Sequence, residues 1–186
     1  MAIAGVDEVG RGALCGPVVA GAVILGDAFN ARGLDDSKRL TRLQREKAAE
    51  RIKAKALAWA VASAEPAEID RHNVLRATYL AMRRALAALA VAPDLVLVDA
   101  LTIPEVVVAQ RAIVKGDALS VSIAAASIVA KVARDALMAD CDQRYPGYGL
   151  ARNMGYGSSD HREALRRMGP CEIHRRSFHG TQRWLF

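Results

Sequence analysis

The sequence predicts an α/β fold built on a mixed sheet, and two observations carry that reading. Apolar runs of strand length come first, after which helical and strand patterns alternate. Acidic residues stand at the ends of those runs or just beyond them (Asp7-Glu8, Asp99 and Asp117), where open α/β sheets gather their ligands. The chain has 186 residues, 52% of them apolar, which suits one domain, residues 1–186, with a real core. Only 5% are aromatic, so Ala, Val, Leu and Ile must build that core.

Residues 2–6 and 18–25 read as neighbouring antiparallel strands joined through Gly10-Arg11-Gly12. A polar loop follows through Asp35-Asp36-Ser37-Lys38. Thr41-x-x-Gln44 is a capping box that opens a charged helix to about Lys55. The basic residues of that helix interleave with Glu46 and Glu50, the pattern of a solvated face. Residues 57–63 predict a strand, and Pro66 marks the first turn of a short helix. Over residues 74–90, Leu75, Tyr79, Met82, Leu86 and Leu89 recur at helical spacing and predict the buried face. Residues 95–98 form a short buried strand ending at Asp99, and residues 105–114 a further strand or pair ending near Lys115-Gly116-Asp117. One long helix is expected over residues 118–141. Leu119, Ile123, Ala126, Ala130, Ala133 and Leu137 make one apolar stripe; Val121, Ala125, Ile128 and Val132 make a second. A helix apolar on so many sides is largely buried, and the run Ala124-Ala-Ala-Ser127 lets it lie close on a sheet. From about residue 145 the chain reads as loop and short helix, including Gly155-Tyr156-Gly157 and a helix over 160–168.

Composition narrows the function classes only a little. A net charge of +6 favours polyanionic partners modestly. The three cysteines, Cys15, Cys141 and Cys171, are odd in number and unpatterned, as expected of reduced packing thiols in a cytoplasmic protein. The first apolar run lacks a basic start and is broken by Asp7, so it does not read as a signal peptide. No stretch approaches the roughly 20 apolar residues of a membrane span. A soluble monomer without membrane partners is expected. His72, His161, His174 and His179 show no metal spacing and receive no role.

Two adjacent carboxylates at a strand end repel unless a cation joins them. A hard divalent ion with oxygen ligands is the usual partner. The Gly-Arg-Gly turn beside them supplies a flexible backbone and one guanidinium, suited to holding a phosphodiester. Asp99 sits where either a ligand or a turn cap belongs. Asp117 precedes the long helix, so it can cap and ligate at once. Asp135 competes as the fourth acid, although Lys131 four residues earlier explains it as a helical ion pair.

The motifs Gly5-Val-Asp-Glu-Val-Gly-Arg-Gly12, Asp36-Ser-Lys38, Leu97-Val-Asp99, Lys115-Gly-Asp117 and Ala124-Ala-Ala-Ser-Ile-Val-Ala-Lys-Val-Ala-Arg-Asp135 occur in that order, followed by Gly155-Tyr-Gly157 and His174-Arg-Arg-Ser-Phe178. Together they resemble the ribonuclease HII (type 2 ribonuclease H) family over nearly the whole chain. The resemblance implies a ribonuclease H-like fold, a five-stranded mixed sheet flanked by helices. It implies an endonuclease that hydrolyses the RNA strand of RNA–DNA hybrids and nicks DNA duplexes 5′ to an embedded ribonucleotide, leaving 5′-phosphates, in ribonucleotide removal during replication and repair. It also implies Mn²⁺ or Mg²⁺ on Asp7, Glu8 and Asp99 with Asp117 completing the set. Gly10, Arg11 and Gly12 then read the ribose 2′-hydroxyl, and Tyr156 packs on the sugar after the ribonucleotide. The chain departs from the family where Asn153-Met154 replace the common His-Lys, which weakens a phosphate contact, and where Ala100 replaces a common glycine. It ends soon after Phe178, so the C-terminal substrate-gripping extension of longer members is expected to be minimal. Two other readings stay open: another metal nuclease of the same fold, such as a junction resolvase, and a non-enzymatic basic binding module.

Overall fold

A computed structural model describes residues 1–34 and 40–182; the Asp36-Ser37-Lys38 motif lies outside the described residues. Five strands form one sheet: β1 (Ile3–Val9), β2 (Val18–Ile24), β3 (Ala58–Ala64), β4 (Leu95–Asp99) and β5 (Gln110–Ile113). Their order is β3-β2-β1-β4-β5, with β1–β2 and β2–β3 antiparallel and β1–β4 and β4–β5 parallel. The mixed sheet is therefore as the residue pattern predicts. β1 runs further than expected, through Asp7 and Glu8 to Val9, so the two acids belong to the strand itself.

The described residues also form eight helices: α1 (Arg42–Lys55), α2 (Pro66–His72), α3 (Val74–Ala87), α4 (Gly116–Leu119), α5 (Val121–Arg144), α6 (Leu150–Asn153), α7 (Ser159–Met168) and α8 (His179–Gln182). Thr41 caps α1 as a complete capping box: its hydroxyl accepts from Gln44 N–H, while Gln44 Oε1 accepts from Thr41 N–H. Such a cap stabilises a helix by about 1 kcal/mol. No helix among the described residues is long and apolar enough to cross a membrane.

One face of the sheet is covered by α3, whose Ala77, Ala81, Met82 and Ala85 join Val6, Ala20, Ala22, Val96 and Val98 in the larger core. The leucines expected to face inward do not lead this contact. Leu75 is 38% exposed, and Leu86 and Leu89 are only partly buried. Small side chains win here because they let the helix axis approach the sheet, leaving the leucines at the margin.

The other face is covered by α5, with α1 outside it through Ala48, Ala49 and Ile52. Close approach is built into the strands. A Cβ on Gly5 would collide with the backbone of Ser122 and Ile123, and one on Gly21 with the carbonyl of Ala126. The expected single helix over 118–141 is interrupted at Ser120, whose backbone is extended (φ −128°, ψ 120°). Leu119 and Leu137, assigned to a buried stripe, are 73% and 40% exposed. The first half of α5 is instead buried through every residue from Ile123 to Ala130. Its second half presents Arg134, Met138 and Cys141 to a smaller C-terminal cluster formed by Leu14, Cys15, Tyr148, Leu150 and Leu165.

Candidate active site

The β1–β4 register pairs Gly5 with Leu97 and Val6 with Val98. Continued by one residue, it sets Asp99 beside Asp7. Alternation along β1 sends Val6 into the α3-side core and leaves Gly5 and Asp7 on the α5 face, where Ser127 hydrogen-bonds the Asp7 carboxylate. Asp7 is 5% exposed, and its Oδ1 also accepts from Glu8 N–H at 2.7 Å. Burial, reinforced by the neighbouring Glu8 charge, pushes the Asp7 carboxyl up to about 8. Burial also raises Glu8, against the opposing pull of Arg11, whose Nη1 lies 3.1 Å from Glu8 Oε1. The second oxygen, Glu8 Oε2, is buried and has no hydrogen-bond partner among the described residues. Asp99 Oδ1 accepts from Gly116 N–H at 2.7 Å.

These three acids line a cleft of about 310 Å³ together with Gly10, Arg11, Gly12, Ser127, Lys131 and Tyr156. The Gly-Arg-Gly turn is not the flexible segment that its glycines suggest. Gly10 has φ 93°, and a Cβ there would strike the Arg134 guanidinium. Arg175, fully buried, donates to Gly10 O at 2.6 Å, Arg11 O at 2.7 Å and Gly16 O at 3.0 Å. In a trans peptide N–H points opposite to C=O. The amides of Arg11 and Gly12 are thereby turned away from Arg175, and neither has a hydrogen-bond partner among the described residues.

Tyr156 is 38% exposed and lies over the Arg134 guanidinium at 5.4 Å. Arg134 is itself buried and donates to the carbonyls of Pro17 (3.0 Å), Met154 (2.8 Å) and Cys15 (3.3 Å). Asn153, which stands where the family commonly has His, is a loop fastener: Nδ2 donates to Tyr148 O and Oδ1 accepts from Gly155 N–H.

Asp117 is not among the residues lining the cleft. It is 7% exposed on α4, one residue from the amide that binds Asp99. Nor is it the helix cap expected: the break at Ser120 makes Lys115 the N-cap of α4 and Ser120 the N-cap of α5. Asp135 pairs with Lys131 Nζ at 2.6 Å and with Arg45 at 3.9 Å, as its spacing predicts, and lies outside the carboxylate cleft. Sequence reasoning overlooked Ser127 and Lys131 in the cleft, the buried Arg134 and Arg175, and the buried pair His161 and His174. For Lys131 and Ser127 a signal existed, since both lie one or two turns along α5 from the residues facing Gly5.

Solved structures share this architecture. The chain matches the crystal structure of ribonuclease H2 from Pyrococcus horikoshii OT3 with a TM-score of 0.83 and 29% identity, covering 98% of this chain and 96% of that one. It matches Bst-RNase HIII in complex with Mn²⁺ with a TM-score of 0.75, covering all of this chain and 69% of that one, at 20% identity. The fold and its strand-end acids therefore define a protein of the ribonuclease H-like class. Within that class, the family model described as Ribonuclease HII matches residues 4–181. The Ribonuclease HII of Desulfitobacterium hafniense (strain Y51) is 56% identical over 183 residues, 98% of this chain and 70% of that protein. The chain belongs to the ribonuclease HII family, hydrolases whose endonuclease activity degrades the RNA of RNA–DNA hybrids with a divalent metal.

Proposed function

We propose that this chain also nicks duplex DNA on the 5′ side of a single embedded ribonucleotide, leaving a 5′-phosphate, and so serves ribonucleotide removal in replication and repair. One observation carries the reading. Three carboxylates, Asp7 buried and Glu8 and Asp99 half-buried, share a cleft in which one buried oxygen of Glu8 and two backbone amides have no hydrogen-bond partner among the described residues. An orphaned buried carboxylate oxygen is costly, and a hard cation relieves it.

The donor set fits such an ion. Asp7, Glu8 and Asp99 would hold it through oxygens alone, the preference of Mn²⁺ and Mg²⁺ alike, and Asp117, next in sequence to the Gly116 whose amide binds Asp99, is proposed as the fourth acid although it does not line the cleft. When bound, the ion supplies charge relief on the phosphate and a more acidic water. The remaining work falls to the chain. The Arg11 and Gly12 amides, held outward by the grip on their neighbours' carbonyls, offer donors to a ribose 2′-hydroxyl, the group that separates RNA from DNA. Glycine at positions 10 and 12 lets that backbone come close to the sugar. The Tyr156 ring offers a flat surface for the following sugar, and Lys131 and Arg11 offer positive charge at the phosphate.

The test is cleavage of a labelled DNA duplex carrying one internal ribonucleotide, against an all-DNA duplex, in Mn²⁺, Mg²⁺ or EDTA. A single metal-dependent nick 5′ to the ribonucleotide, absent from the control, is expected. Equal cutting of both duplexes would point to a general nuclease of the same fold and overturn the 2′-hydroxyl assignment.

A further inference from the structure

We infer that His174 and Arg175, adjacent in sequence, are positioning residues that set ribonucleotide selectivity by holding two separate reading loops; the inference rests on the reading of the Gly10–Gly12 turn and Tyr156 given above.

Arg175 holds the first loop. It makes no ion pair among the described residues, and its hydrogen bonds go to three backbone carbonyls, two of them in the Gly-Arg-Gly turn. A buried cation without a counterion is a poor way to fill space, because an apolar side chain of similar volume would cost less. What the guanidinium supplies, and an apolar residue cannot, is a fixed orientation for peptides 10–11 and 11–12.

His174 holds the second loop through His161. The Cys171 amide donates to His174 Nδ1 at 3.0 Å, so that nitrogen carries the lone pair and Nε2 carries the proton. His174 Nε2–H then donates to His161 Nε2 at 3.0 Å. His161 must in turn carry its proton on Nδ1, which donates to the Tyr156 carbonyl at 2.9 Å. Every bond of the chain runs the same way and ends on the Gly-Tyr-Gly loop. Burial lowers the proton affinity of both imidazoles, which keeps them neutral and the direction single.

Cys15, His161 and His174 also place a sulfur and two nitrogens within 4.8 Å of one another, the outline of a soft-metal site. Hydrogen-bond polarity argues against that use. A metal would need the His174 lone pair on Nε2, whereas the Cys171 amide draws it to Nδ1.

The segment bearing both residues is itself anchored. Gly16 N–H donates to Ile173 O and Arg175 N–H to Leu14 O, each at 2.9 Å. The Asp70 carboxylate on α2 accepts from Arg176 N–H, Ser177 N–H and the Ser177 hydroxyl. His174 and Arg175 are therefore fixed points against which the loops are set.

The experiment compares Arg175→Lys, His161→Leu and His161→Asn with wild type. It measures steady-state cleavage of the single-ribonucleotide duplex, the Tm rise in Mn²⁺, and hydrogen exchange over residues 154–157. Arg175→Lys and His161→Leu should raise KM roughly tenfold, the loss of about one charged or buried hydrogen bond, with a smaller change in kcat. Both should keep the Mn²⁺-dependent rise, because the acids on β1 and β4 are untouched. His161→Leu should speed exchange at 154–157. His161→Asn, whose amide can still reach the Tyr156 carbonyl, should restore most of the KM. Folded variants with unchanged KM and exchange would overturn the inference while leaving wild-type selectivity intact. Wild type that cuts the all-DNA duplex equally well would instead overturn the underlying reading of the loops. One equivalent of Zn²⁺ bound by wild type and lost in His161→Leu would replace the hydrogen-bond chain with a metal site.

Discussion

Replacing Asp7 by Asn should stabilise the metal-free protein while abolishing its response to metal. The Asp7 carboxyl sits at about 8 in the folded protein, against 3.8 for an unperturbed group. Between those values unfolding releases a proton, so the stability of the metal-free protein falls as pH rises from about 4 and reaches its floor near 8. At pH 7 the interval is about three units, or up to roughly 4 kcal/mol; at pH 5 it is about one unit. Asn cannot ionise, yet its amide oxygen can still accept from Glu8 N–H as Asp7 Oδ1 does. Urea unfolding in EDTA at pH 5, 6, 7 and 8 should show the variant pulling ahead of wild type as pH rises. Adding Mn²⁺ should then stabilise wild type by about 2.7 kcal/mol at one hundred times its Kd and the variant far less. Equal stability at every pH in EDTA, or an equal Mn²⁺ response in the two proteins, would refute the reasoning.

Three further outcomes follow from other parts of the structure. Ala100 has φ 54°, so Ala100→Gly should raise stability by about 1 kcal/mol and Tm by roughly 2–4 °C, read by thermal unfolding. The His174 imidazole is pushed down to about 4 by burial, so its contribution to stability is complete above pH 6.5 and lost as pH falls toward 4, by roughly 3 kcal/mol. The difference in unfolding free energy between wild type and His174→Gln, measured from pH 7 to 4, should show that slope. Asp117→Asn should lower kcat/KM roughly 10–100-fold, as expected beside a metal-binding acid, whereas Asp135→Asn should stay within a few-fold. The reverse order would move the fourth acid to Asp135.

The mixed sheet is legible because its strands are apolar runs bounded by glycine, proline and acid, and the capping box at Thr41 is a purely local signal. Helix faces are harder to read. A periodicity that weights leucine over alanine selects Leu75, Leu86 and Leu119, while the sheet selects Ala77, Ala81 and Ala85 for their small size. Adjacent acids at a strand end advertise themselves through their mutual repulsion. Buried cations do not. In the run His174-Arg175-Arg176, Arg175 is fully buried on three carbonyls and Arg176 is exposed, and nothing local distinguishes them. The same holds for His161 and His174, which meet each other across thirteen residues of irregular spacing that no helical or strand period marks.

The grip of Arg175 on Gly10 spans 165 residues of sequence. Chains are made from the N-terminus, so the order of synthesis separates two halves of the enzyme. Every acid lining the cleft has been translated by residue 99, whereas the clamp on the Gly10–Gly12 turn arrives only with residue 175. The strands that carry the carboxylates are therefore made before the segment that grips the turn beside them. Long-range closure of this kind is also slow to form. In this protein the acids come from strands made early, and the buried cation that orients the neighbouring turn comes from a segment made after all five strands.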